Sequence, residues 1–137
     1  PGRRFNSPSL SPDGKWVAFR ALPNFELFIA PFHGAVSIPQ SEWIKIADGF
    51  VGSASFWSAD SKSIYYSLPI SPGSTAQRFH RQQLTPEGRP AGPATEFLRL
   101  DDYVLGMPML NTIKATKDAI YLLLFDSRSD IWATDLP

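Results

Sequence analysis

The apolar positions of this chain come in short runs that never reach the length of a helix. Residues 16–19, 27–30, 64–66 and 120–125 are such runs, rich in aromatic and β-branched side chains, and 43–47 alternates apolar and polar loosely. Each is bounded by Pro, Gly, Asp, Asn or Ser. Apolar runs of about 4–8 residues between turn-forming clusters are the signature of strands. The pattern predicts strands at 8–11, 15–20, 26–32, 43–47, 53–57, 63–68, 78–84, 95–100, 107–110, 120–125 and 130–136. Residues 109–136 contain neither Pro nor Gly, so a helix is the local competitor there. The six-residue length of 120–125 and the polar break at Asp126–Asp130 favour a strand. Residues 1–7 are mostly polar and read as a frayed terminus, or as an extended segment that completes another sheet.

One strand–turn–strand pattern comes back. Leu10-Ser11-Pro12-Asp13-Gly14-Lys15-Trp16-Val17-Ala18-Phe19 lines up without a gap on Trp57-Ser58-Ala59-Asp60-Ser61-Lys62-Ser63-Ile64-Tyr65-Tyr66. A third, shortened copy runs from Ala115 through Asp118 to Leu122. Pro12 presets φ, Asp13 can bond its own backbone two residues on, and Gly14 accepts positive φ. Asp60 and Asp118 hold the matching turn positions, and Ser61 stands where the first copy has Gly14. The strands that follow repeat independently: Leu27, Phe79 and Ile131 fall 52 residues apart. Repetition at this scale, built from strands, predicts a propeller or an array.

Ser11-Pro12-Asp13-Gly14-Lys15-Trp16-Val17-Ala18-Phe19 resembles the WD40-like (PD40) repeat of bacterial TolB-type propellers, which also occurs in the propeller domains of prolyl-oligopeptidase-type enzymes. Asp130-Ile131-Trp132-Ala133-Thr134-Asp135-Leu136 is similar to that family's third strand. The resemblance implies an all-β fold: a partial β-propeller of about three four-stranded antiparallel blades, the last lacking its outer strand. Residues 1–137 form a single propeller segment, with blades at about 8–49, 53–100 and 106–137. An open stack of blades leaves apolar end faces. The chain is therefore expected to be a C-terminal fragment of a longer propeller, completed by the remaining blades of its parent chain or by a second copy of itself. In such a homodimer Arg3, Arg4 and Phe5 would exchange as a strand. The resemblance further implies a bacterial source and a periplasmic or cell-envelope setting.

Charge narrows the partners. Lys plus Arg equals Asp plus Glu, so no overall field favours nucleic acid or an anionic membrane. No apolar run approaches the roughly 20 residues of a membrane span. The absence of cysteine excludes disulfides and thiolate metal sites. The chain opens on Pro1-Gly2, as expected of a processed or trimmed piece.

Candidate chemistry is sparse. His33 precedes Gly34 in a turn, and His80 takes the place of Phe28 and Trp132 in the other repeats, as a packing substitution would. No His or carboxylate spacing supports zinc. A Ca²⁺ ion could use Asp126 and Asp130 or Asp101 and Asp102, although loop solvation explains them more simply; no cofactor is expected. There is no Gly-x-Ser-x-Gly elbow, phosphate loop or dinucleotide fingerprint. Trp16, Trp43, Trp57 and Trp132 could line a sugar-binding face, though most fall at core positions of the repeat. The expected function is thus a non-catalytic, TolB-like scaffold that binds a protein or peptide through its loop face or central channel. The alternatives are the propeller portion of an enzyme, either a peptidase gate or a sugar-processing propeller, and a sensor module of a larger signalling protein.

Overall fold

The computed structural model describes residues 4–49, 51, 55–71, 74, 76–101, 104–105, 113–116, 118–125 and 131–135. Its turns close locally, before any sheet is needed. The Ser11 hydroxyl donates to Asp13 Oδ1 at 2.6 Å and accepts the Trp16 N–H at 2.9 Å, while Asp13 Oδ1 accepts the Lys15 N–H at 3.2 Å. Ser58, Asp60, Lys62 and Ser63 repeat that circuit at 2.7, 3.0 and 2.9 Å. Gly14 has φ 71°, and Ser61 adopts the same left-handed conformation at φ 61°. In the third copy the Thr116 hydroxyl accepts the Ala119 N–H at 3.1 Å, so the shorter turn keeps its cap. Asp118 contributes its backbone N–H to Thr116 Oγ1 at 3.4 Å.

These turns set the register of two complete antiparallel sheets and a third group of strands. Sheet 1 is β1 (Phe5–Leu10), β2 (Trp16–Ala21), β3 (Glu26–Pro31) and β4 (Ile44–Ala47), in that order. Sheet 2 is β5 (Ser55–Trp57), β6 (Ser63–Pro69), β7 (Gln77–Gln83) and β8 (Thr95–Leu100). In the third group β11 (Ala119–Phe125) pairs with β10 (Ile113–Ala115), with β12 (Ile131–Asp135) and with β9 (Val104–Leu105). The apolar run at 120–125 is therefore a strand, not a helix. The strand expected at 107–110 and the Asp126–Asp130 loop lie outside the described residues.

The 52-residue spacing has a direct meaning in hydrogen bonds. Leu27 stands opposite Arg20, Phe79 opposite Ser67 and Ile131 opposite Leu123. In each hairpin that partner lies four residues into the strand after the turn. The outer pairings bulge at equivalent points, between Leu27 and Phe28 and between Phe79 and His80. Both hairpins close on the same bond, Phe32 N–H to Lys15 O at 2.7 Å and Leu84 N–H to Lys62 O at 2.9 Å.

Side chains alternate across each strand, which gives sheets 1 and 2 two apolar faces each. Ala18, Leu27, Ile29, Ile46 and Ala47 of sheet 1 meet Trp57, Ile64 and Tyr66 of sheet 2 in one buried cluster. The opposite face of sheet 2, with Tyr65 and Phe79, meets Ile120 and Leu122 of β11. The repeat thus stacks its sheets in one sense: Ile64 and Tyr66 face back to sheet 1 as Ile120 and Leu122 face back to sheet 2. Leu27, Phe79, Ile64 and Ile120 are fully buried, each worth about 1.5–3 kcal/mol relative to an exposed side chain. The Trp57 indole N–H donates to Ser9 O at 3.2 Å and ties β5 to β1.

The remaining face of sheet 1 is aromatic. Phe19 and Phe28 are covered there by Trp43, whose ring centroid lies 5.1 Å from Phe19 and 5.8 Å from Phe28. Phe5 stands edge-on to both Phe19 and Trp43, at 5.4 and 5.1 Å. Arg4 O accepts the Leu22 N–H at 2.9 Å. Arg4 and Phe5 therefore serve the chain's own first sheet, and β1 begins earlier than the 8–11 expected. Arg3 lies outside the described residues.

The all-β class holds. The expectation of a WD40-like, TolB-type propeller is corrected: the described residues form sheets side by side and no closed ring. The physical reason is that the Ser-x-Asp turn and the apolar hairpin specify strand pairing and stacking only. Neither specifies closure or a family.

Candidate functional site

The site grows from two loops that meet where sheets 1 and 2 adjoin. Trp16 opens β2 directly after the Ser11–Gly14 turn, so its backbone is fixed by the Ser11 hydroxyl. Across from it, residues 85–90 fold into a tight hairpin of their own. Thr85 N–H donates to Arg89 O at 2.8 Å, Gly88 N–H to Thr85 O at 2.9 Å, and Leu84 bridges to Pro90. Gly88 has φ 74°, and a Cβ placed on it would lie 2.4 Å from the Trp16 ring. Only glycine lets this loop rest against the indole. The buried Gln82 holds the loop from behind, its amide donating to Gln83 O and Gly92 O at 2.9 Å each.

A third segment completes the walls. Residues 40–42 form a single 3-10 turn (Gln40–Glu42) leading into β4, and they bring Ser41, Glu42 and Trp43 to the rim. Together with Pro31, Ile44, Lys45, Glu87, Arg89 and Pro90 they enclose an open cleft of about 520 Å³. That lies within the roughly 300–1,000 Å³ usual for small-molecule sites. It combines two tryptophans, two prolines and one isoleucine with two carboxylates and two cations, a mixture suited to a ligand with apolar faces and polar edges.

The charges around it are largely engaged. Lys45 Nζ donates to Glu26 Oε1 and Asp48 Oδ1, each at 2.7 Å, and these two bonds raise its pKa. Glu42 Oε2 lies 3.3 Å from His33 Nε2. The Glu87 carboxyl is held below its ordinary value, first by its hydrogen bond with Thr85 and, to a smaller extent, by Arg89. Glu87 is ionised at neutral pH, with Arg89 beside it on the same loop.

The residues singled out from sequence are used elsewhere. Pro12, Asp13, Gly14 and Asp60 sit in the two Ser-x-Asp turns, and the Asp13 N–H reaches the Ser61 hydroxyl at 3.0 Å. Asp13 and Asp60 have lowered pKa values, caused first by the hydroxyls of Ser11 and Ser58. His33 is exposed beside Glu42. His80 is stacked on Tyr66 at 5.5 Å and lies 4.0 Å from Glu96, and burial lowers its pKa. Trp57 is core, and the Trp43 ring is committed to the aromatic face of sheet 1. Among the described residues no group of three or more His, Asp or Glu side chains could hold a metal ion. Asp102, Asp126 and Asp130 lie outside them. Sequence reasoning missed the cleft because its walls come from three separate segments. Gly88, in the Pro/Gly-rich stretch between the strands expected at 78–84 and 95–100, was the available signal.

The fold itself has a solved counterpart. A crystal structure of a putative 6-phosphogluconolactonase from Bacteroides uniformis matches 96% of this chain with a TM-score of 0.51. Sequence identity is 11%, so the likeness is one of fold. The chain spans 40% of that protein's length. No family model matches the sequence, and no curated protein matches it. This likeness overturns the TolB-type assignment, and with it the expectation of a non-catalytic scaffold for a protein or peptide. The cell-envelope setting rested on the same assignment and loses its basis.

Proposed function

We propose that this chain is part of a sugar-processing protein and that its cleft holds a sugar-derived ligand. The observation that carries the reading is the wall made by Trp16 against Gly88, set among Glu42, Glu87 and Arg89. A sugar ring has flat C–H faces and hydroxyl edges. An indole covers such a face, ionised carboxylates accept from the hydroxyls, and a guanidinium donates to ring or carbonyl oxygens. The hydrogen-bonded 85–90 loop presents these groups without further ordering, which lowers the entropic cost of binding. The fold likeness to a protein named for a sugar lactone supports the same class. As part of this proposal, segments of about 8–49, 53–100 and 106–137 are successive copies of one stacked-sheet unit.

The test is a ¹⁵N-detected titration of the 137-residue chain with D-glucose and with glucono-δ-lactone. Shifts are expected at the Trp16 indole N–H and at the amides of 85–90. Glu87→Ala and Arg89→Ala, both at exposed positions, should each weaken binding about tenfold, roughly 1.4 kcal/mol. The absence of shifts at Trp16 and 85–90 at tens of millimolar sugar would overturn the proposal.

A further inference from the structure

Away from the cleft, we infer that the outer face of sheet 1 is a docking surface for the outer face of β11 in a second copy of this chain. Burial at equivalent repeat positions carries the inference. Arg20, Ser67 and Leu123 stand opposite Leu27, Phe79 and Ile131, and two residues earlier on the same strands stand Ala18, Tyr65 and Tyr121. Ala18 is fully buried in the cluster shared with sheet 2, and Tyr65 is 2% exposed in the cluster shared with β11. Tyr121 is 45% exposed. It points away from Ile120 and Leu122, which face sheet 2.

The other end of the series shows the complementary change. Leu10 pairs with Val17 as Trp57 pairs with Ile64, and directly opposed residues share a face. Trp57 is 7% exposed against sheet 1, whereas Leu10 is 49% exposed. Phe32 and Leu84 close their hairpins on the same bond, but Leu84 packs on the cluster between sheets 1 and 2 while Phe32 is 40% exposed. Phe5, opposite Ala21, lies on that outer face too and is half exposed. Five large apolar side chains are exposed among the described residues; Phe5, Leu10 and Phe32 share this face, and Tyr121 lies on that of β11.

Scattered apolar side chains on a surface need no explanation, but the two unused halves of an interface already made inside the molecule do. Continuity with that interface names the occupant, because one copy offers the Tyr121 half and another the Leu10 half. The rim of the sheet 1 face is polar and self-neutralised: Lys45, opposite Phe28, is held by Glu26 and Asp48 at 2.7 Å each. Lys plus Arg equals Asp plus Glu over the chain, so no net charge holds copies apart. Unlike faces meet, so the contact is heterologous.

The experiment is sedimentation velocity on the full 137-residue chain from micromolar to millimolar concentration, with Leu10→Asp and Tyr121→Asp alongside. The parent is expected to rise from 15.2 kDa to two chains or more as concentration increases. Each substitution puts a charge into the apolar contact and should weaken association about tenfold or more. An equimolar mixture of the two variants should recover a one-to-one complex, since one keeps its Tyr121 face and the other its Leu10 face. Circular dichroism checks that each variant keeps its fold, and Phe32→Ser tests the same face if Leu10→Asp disturbs β1. A parent that stays monomeric throughout would overturn the inference and assign these faces to a different partner. Variants that associate like the parent, or that fail to complement each other in the mixture, would overturn it as well.

Discussion

Single residues carry the site's geometry through what they lack. Gly14 and Gly88 share a left-handed backbone, at φ 71° and 74°, but a Cβ on Gly14 would meet nothing within 4 Å. Gly14→Ala is therefore expected to cost about 1 kcal/mol, the strain of the backbone alone. Gly88→Ala adds a collision with Trp16 and should cost a further 1–3 kcal/mol or so. Chemical denaturation of the two variants reads the difference, and equal losses would mean that the 85–90 loop does not rest on the indole. His80 offers a second test. Burial lowers its pKa, so the native state prefers the neutral ring while the unfolded chain protonates near the ordinary histidine value of about 6.5. Stability is fully present above that pH and declines as pH falls through the depressed native value. His80→Phe, which installs the residue that sheet 1 carries at Phe28, should remove that decline. Parallel thermal-melt profiles for variant and parent between pH 7.5 and 5 would contradict this.

At the scale of the element, the hairpins were largely legible and the reasons are local. Pro12, Asp13 and Gly14 announce a turn by their backbone preferences, and the 52-residue spacing of Leu27, Phe79 and Ile131 marks equivalent register positions before any pairing is known. Less legible were the serines. Ser11 and Ser58 bond both the turn carboxylate and the strand backbone, yet a serine in sequence looks like any other. The early start of β1 was also hidden, because Asn6, Ser7 and Ser9 are polar and Ser7 breaks the register with φ 52°. The cleft was out of reach for a different reason: Trp16, the 3-10 turn Gln40–Glu42 and Glu87–Arg89 are brought together by stacking, which no local rule encodes. The turns carry their own prediction. Asp13 and Asp60 titrate below the ordinary aspartate range because Ser11 and Ser58 donate to them. Their contribution is present above the unfolded value and is lost as pH falls through the lower native one. Carbon-detected titration should place both below ordinary aspartate, and Ser11→Ala should move Asp13 up while leaving Asp60 in place. An unmoved Asp13 would discount the hydroxyl as the cause.

For the whole molecule, the account is that one sheet unit is repeated and always stacked the same way round. Leu27 faces sheet 2 for the same reason that Phe79 faces β11: each is opposite the fifth residue of the preceding strand and shares its parity. The buried clusters are consequently in series, and truncation should act on one interface at a time. Leu27→Ala and Phe79→Ala are each expected to cost about 2–5 kcal/mol, with energies that add, because the two side chains belong to different clusters. Strong non-additivity would point to a single shared core. The cleft depends on this order, since it exists only where the 85–90 loop of sheet 2 lies on Trp16 of sheet 1.

Side-chain NOE spectroscopy on the selectively labelled 137-residue chain reads that order directly. Cross-peaks are predicted from Ile64 to the Leu27 and Ile29 methyls, and from Ile120 to the Phe79 ring, with none from Ile120 to Leu27 or Ile29. Contacts between Ile120 and sheet 1, or a missing Ile64–Leu27 contact, would contradict the account.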